Sequence, residues 1–97
     1  MNDKLKSPYV DNLFRAILSL DSIEECYDFF EDLCTIAEIQ EMAKRISAAR
    51  MLSDGAKYTE IAEKTGLSTA TISRVNRSLK YGSDGYVRAL KSLIPHD

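Results

Sequence analysis

The sequence predicts an all-α fold of about six helices, with a helix-turn-helix in the C-terminal half of a single 97-residue domain. Three observations carry that prediction. Apolar residues recur at helical spacing along the chain, and no alternating run marks a strand. Two Ser/Thr-x-x-Glu capping boxes, Ser22–Glu25 and Thr35–Glu38, announce helix starts. Only two prolines and four glycines interrupt the chain.

The elements follow in order. The first helix starts after Ser7, with Pro8 at its first position, where a missing N–H costs nothing. Val10, Leu13, Phe14, Ile17 and Leu18 form its inward stripe, and Leu20 closes the segment. Behind the first capping box, Ile23, Cys26, Tyr27, Phe30, Leu33 and Cys34 make a second amphipathic face. The second box opens a longer helix with Ile39, Met42, Ala43, Ile46 and Ala49 inward, ended near Gly55. Thr59 to Thr65 is a short helix stopped by Gly66, and Ser68 caps a helix running to about Lys80. After a break at Tyr81–Asp84, a last helix over about 84–94 buries Val87, Leu90 and Leu93 or Ile94, and Pro95 ends it. Residues 8–54 therefore read as dimerisation helices, 58–80 as the helix-turn-helix and 84–94 as a C-terminal helix.

At 10.9 kDa, with 44% hydrophobic and 29% charged residues, the chain can build only a thin core, so burial shared with a second chain is expected. The net charge of −2 argues against a generic sticky nucleic-acid binder or a polybasic membrane binder. That total hides a partition. Residues 1–54 carry 6 Lys/Arg against 11 Asp/Glu, and residues 55–97 carry 7 against 4. From Gly66 to Ser83 there are three basic residues, Arg74, Arg77 and Lys80, and no acidic one. The acids of the second and third helices read as a solvated face.

No apolar run is long enough to cross a membrane, and the polar start Met1–Ser7 opens no secretory signal, so a cytoplasmic protein is expected. Cys26 and Cys34 stand too far apart on one helix for a disulfide and read as buried structural thiols. With one histidine, His96, near the C-terminal end, no metal site is expected. The absence of a glycine-rich phosphate loop and of any nucleophile–base pair argues against an enzyme.

Tyr58 to Leu79 carries the sharpest pattern. A helix-turn-helix needs a small residue where its helices cross, a residue tolerant of left-handed backbone in the turn, and apolar residues inward from both helices. Ala62, Gly66, and Ile61, Leu67, Ile72, Val75 and Leu79 meet those needs. At 100° per residue, Ala70, Ser73, Arg74, Arg77 and Tyr81 then point outward. Ser68 and Thr69 sit at the helix N-terminus, where free N–H groups favour a phosphate. The expected DNA-binding residues are Ser68, Thr69, Ala70, Thr71, Ser73, Arg74, Arg77 and Lys80, and the expected partner is double-stranded DNA. A helical protein–protein module that does not bind DNA is the alternative, motivated by the acidic N-terminal half.

Ala70-Thr71-Ile72-Ser73-Arg74, followed by Asn76 and Ser78-Leu79-Lys80, resembles the recognition helix of the Trp repressor family. Leu33 to Arg45 is similar to that family's linker and next helix, and the resemblance spans about residues 9–94. Cys26 to Ile36 and Ser68 to Val75 resemble most closely the YerC/YecD group of Trp-repressor-related proteins, known from Gram-positive bacteria. The resemblance implies an intertwined homodimer that binds a pseudo-palindromic operator and regulates transcription, as a repressor. It also implies a ligand site at Thr35, Arg45, Arg74 and Ser78, because in the repressor an indole lies between two arginines. Here Val75 stands where the repressor has glycine, and overfilling a tight site costs about 1–3 kcal/mol. No cofactor is therefore predicted, a tryptophan-like corepressor is disfavoured by Val75, and any small-molecule effector is left open. Thr35 also reads as a helix cap, Arg45 as an ion-pair partner of Glu41, and Arg74 as a phosphate contact.

Overall fold

The computed structural model describes residues 2–93. It contains six helices and, among the described residues, no strand: α1 Pro8–Leu18, α2 Ile23–Leu33, α3 Ile36–Ser53, α4 Tyr58–Thr65, α5 Thr69–Tyr81 and α6 Gly85–Ser92. The all-α expectation holds. Ile94, Pro95 and His96, named above as helix end, stop signal and lone histidine, lie outside the described residues. Two compact units divide the chain, residues 1–39 and residues 40–97.

The helix ends follow local chemistry. In the first unit, Ser7 Oγ accepts the Val10 N–H at 3.1 Å, with Pro8 at the first helical position. Ser22 Oγ accepts the Glu25 N–H at 3.1 Å, but Glu25 reaches back to the Asp21 N–H at 3.2 Å. That is one residue beyond the partner a capping box predicts. At α3 the box closes both ways: Thr35 Oγ1 accepts from Glu38 N at 3.1 Å, and Glu38 Oε1 accepts from Thr35 N at 2.8 Å.

The Thr35 N–H, and then the Thr35 hydroxyl, hold the Glu38 carboxyl below its usual 4.5. A carboxylate whose pKa is lowered on folding stabilises the fold fully above its unfolded pKa. That contribution fades as pH falls below about 4.5 toward the lowered folded value. Glu38→Gln keeps the cap geometry and is expected to flatten this part of the acid limb, read from urea melts between pH 6 and 3. An acid limb identical to wild type would show that Glu38 does not contribute.

No residue of α1 or α2 is buried within this chain. Val10, Leu13, Ile17, Phe29 and Phe30 are half-buried, with Phe29 and Phe30 edge-to-face at 5.4 Å. Much of the predicted inward stripe is exposed, including Phe14, Leu18 (82%), Ile23 (73%), Tyr27 (71%) and Leu33. Cys26 is exposed and Cys34 half-buried, both free, so they are not the buried thiols that composition suggests. The cause is physical. Two amphipathic helices present more apolar surface than the first unit can cover with its own residues.

The core lies in the second unit. Ala48 and Ala49 of α3, Ile61 of α4, Leu67 of the turn, Ile72 and Val75 of α5 and Leu90 of α6 form one buried cluster. Ala49, Ile61, Leu67, Ile72, Val75 and Leu90 fall on the inward stripes of the sequence, whereas buried Ala48 lies outside them, and Met42 and Ala43, at the start of this unit, and Leu93, after α6, are exposed. The end of α3 is a Schellman motif. Gly55 adopts φ +87°, its N–H bonds Leu52 O at 3.1 Å, and the Ala56 N–H bonds Met51 O at 2.9 Å. α4 begins one residue earlier than the spacing suggests, at Tyr58, with Lys57 before it. The break between α5 and α6 is tight: Asp84 holds φ +65°, and a Cβ on Gly82 would collide with the Ser78 carbonyl. A contact invisible in the sequence ties α6 to α3: Arg50 Nη2 donates to Leu90 O at 2.8 Å and to Leu93 O at 3.4 Å. A guanidinium on the last carbonyls of a helix also complements its dipole.

Candidate nucleic-acid interface

α4 and α5 pack against each other through the turn at Gly66, which holds φ +77°. A residue with a Cβ is strained there, which is why glycine occupies the turn. The turn is pinned on both sides. Thr65 Oγ1 donates to Ile61 O at 2.7 Å and accepts the Leu67 N–H at 3.2 Å. Leu67 then turns inward beneath the two helices, with Ile61, Ile72 and Val75 fully or nearly fully buried. This inner face determines how α5 is rotated about its axis, and so what its outer face presents.

That outer face is the one the sequence predicts. Ser68, Thr69, Ala70, Ser73, Arg74, Arg77, Lys80 and Tyr81 are all exposed. Arg74, Arg77 and Lys80 form no ion pair among the described residues, and α5 carries no acid. The ion pairs of the second unit lie elsewhere: Lys64–Glu60 at 3.3 Å on α4 and Arg45–Glu41 at 3.7 Å on α3. Ser68 Oγ is committed to the helix start, accepting the Thr71 N–H at 3.1 Å and donating to Thr71 Oγ1 at 3.0 Å. Thr71 is half-buried, so it sits at the edge of this face.

A small cavity of about 80 Å³ lies behind α5, lined by Arg45, Thr71, Arg74, Val75, Ser78 and Tyr86. It brings together three of the four residues at which the family resemblance implies a ligand, Arg45, Arg74 and Ser78. Thr35 belongs to the other unit, where its side chain caps α3. Arg45 lies 3.7 Å from Glu41, as its alternative reading has it, yet its Nε is buried with no hydrogen-bond partner among the described residues. Val75 lines the cavity and at the same time belongs to the buried core, 3% exposed. Tyr86 of α6 is a lining residue that sequence reading missed, because nothing in local spacing brings α6 to this wall. A second, more open recess of about 380 Å³, mostly apolar, is lined by Ile46, Ser78, Ser83, Gly85, Tyr86 and Ala89. No group of three or more His, Cys, Asp or Glu side chains stands close enough to hold a metal ion among the described residues. No helix of the described residues is long and apolar enough to cross a membrane.

Comparison with known proteins matches this architecture. The profile of the Trp repressor protein family matches residues 9–94. The chain is 58% identical over 88 residues to the uncharacterized protein YerC of Bacillus subtilis (strain 168), spanning 91% of this chain and 85% of that protein. Its fold is similar to the crystal structure of a TrpR-like protein from Eubacterium eligens ATCC 27750. The TM-score is 0.89 at 57% identity, covering 97% of this chain and all of the other. A second crystal structure, from Staphylococcus aureus, matches with a TM-score of 0.87 at 49% identity over 92% of this chain and 89% of that one.

Proposed function

The chain belongs to the Trp repressor family, and on that premise we propose that it is a sequence-specific DNA-binding transcription regulator, a repressor, acting as a cytoplasmic homodimer on a pseudo-palindromic operator. One observation carries the proposal. α5 presents an exposed face without acids, bearing Arg74, Arg77 and Lys80, while its opposite face is locked into the core. Small residues at its start, Thr69, Ala70 and Ser73, leave room for the helix tip to approach base edges. Ser68 holds the helix start, Lys80 serves a phosphate, and Arg74 and Arg77 each serve either a phosphate or a base edge. In a symmetric dimer two such helices enter successive major grooves about 34 Å apart, one turn of DNA.

The exposed apolar residues of α1 and α2 support the dimer. Phe14, Leu18, Ile23, Tyr27 and Leu33 are large apolar side chains that one chain leaves exposed, and such surface marks an interaction face. A second copy supplies the same kind of surface in return, as a two-fold interface requires.

Fluorescence anisotropy on a pool of genomic duplexes across a salt series tests the proposal. Log affinity is expected to fall linearly with log salt, with a slope of about −0.9 per phosphate neutralised. Absence of competable binding to every genomic duplex overturns it and leaves the protein–protein module as the standing reading. Sedimentation in the same buffers reads the stoichiometry.

A further inference from the structure

We infer that the protein's own Val75 and Tyr86 narrow the cavity behind α5 below the size of an indole, so that α5 is held in place without an indole ligand and DNA binding is independent of tryptophan. The inference deepens the DNA-binding reading and in its second half rests on it. Three observations support it.

The first is size. The cavity holds about 80 Å³. A dry engineered cavity that accepts benzene measures about 150 Å³, and an indole is larger than benzene. The second is the nature of the wall. Arginine side chains swing away from a guest at little cost, so the presence of Arg45 and Arg74 would not by itself exclude a ligand. Val75 cannot do so. Its side chain is packed among Ile61, Leu67, Ile72 and Leu90, and moving it would open the core that sets the orientation of α5. The third is the opposite side. Tyr86 lines the cavity from α6, and α6 is in turn tied to α3 by Arg50 on the carbonyls of Leu90 and Leu93. An aromatic ring of the protein itself therefore contributes to the wall. The remaining space is of a size for water, and Arg45 Nε is a buried donor with no partner among the described residues.

Two arms test this. In calorimetry, wild-type protein titrated with L-tryptophan is expected to give no saturable heat up to millimolar concentrations. The folded Val75→Ala and Val75→Gly proteins are expected to gain saturable binding, the glycine form more strongly. Micromolar binding by the wild type overturns the inference. So does a folded Val75→Ala or Val75→Gly protein, checked by circular dichroism, that still ignores tryptophan, because Val75 is then not what closes the cavity. In anisotropy, wild-type affinity for bound duplex is expected to change less than twofold on adding tryptophan, and a tenfold tightening overturns the inference. If no duplex is bound at all, the proposed function fails, and calorimetry alone still decides whether Val75 keeps an indole out of the cavity.

Discussion

Ile72→Ala is expected to lower the unfolding free energy by about 2–5 kcal/mol, the range for truncating a large aliphatic side chain in a packed core. Ile72 is fully buried and, with Ile61, is the largest such side chain among the described residues. It touches the cluster that joins α3, α4, α5 and α6, so the space left behind cannot be closed by one element shifting alone. A small domain has about 5–15 kcal/mol of stability in total, so the loss is a large fraction of it. Urea melts of wild type and variant at one fixed protein concentration measure the difference, since a homodimer's apparent stability depends on concentration. A loss under about 1 kcal/mol would mean that the core can collapse around the change. Ala70→Ser, on the exposed face of the same helix, is the control and is expected to stay within about 0.5 kcal/mol.

Arg77→Ala is expected to weaken DNA binding by roughly 30-fold or more while leaving stability nearly untouched. Arg77 is exposed, forms no ion pair among the described residues, and lies on the outer face of α5, away from the core cluster. Losing one such contact costs about 1–3 kcal/mol, and a symmetric dimer loses it twice. The salt slope is expected to become shallower by about 0.9 for each phosphate no longer neutralised. Arg77→Lys separates two roles. A lysine restores most of the affinity if Arg77 serves a phosphate as a point charge, and little of it if the guanidinium reads a base edge bidentately. Unchanged affinity and slope in Arg77→Ala would remove α5 as the groove-reading element.

Much of the fold was legible because it is local. Ser7, Ser22, Thr35 and Ser68 cap the helices they precede through hydrogen bonds spanning three residues. Gly55 and Gly66 stand where left-handed backbone ends a helix, and both requirements are visible in a short window of sequence. The two faces of α5 follow from 100° per residue once Ile72 and Val75 are taken as inward. The candidate site was legible for the same reason on its outer face, since Arg74, Arg77 and Lys80 fall on one helix.

What escaped the sequence is long-range. Arg50 bonds carbonyls 40 and 43 residues away, and Tyr86 reaches the wall behind α5 from another helix. Glu25 accepts from the Asp21 N–H and not from that of Ser22, a choice that the capping-box pattern does not specify. Cys26, Tyr27 and Met42 carry an inward-looking period yet stand exposed in one chain, because periodicity identifies an apolar face and not what covers it.

The sequence by itself therefore determined the helices, their caps, the helix-turn-helix and the acid-free face of α5, all consequences of chemistry acting over one to four residues. The tertiary structure decided which apolar faces a single chain buries, how α6 is anchored, and how little room Val75 and Tyr86 leave behind α5. Those outcomes depend on volumes and distances between residues far apart in sequence, which only the packed chain brings together.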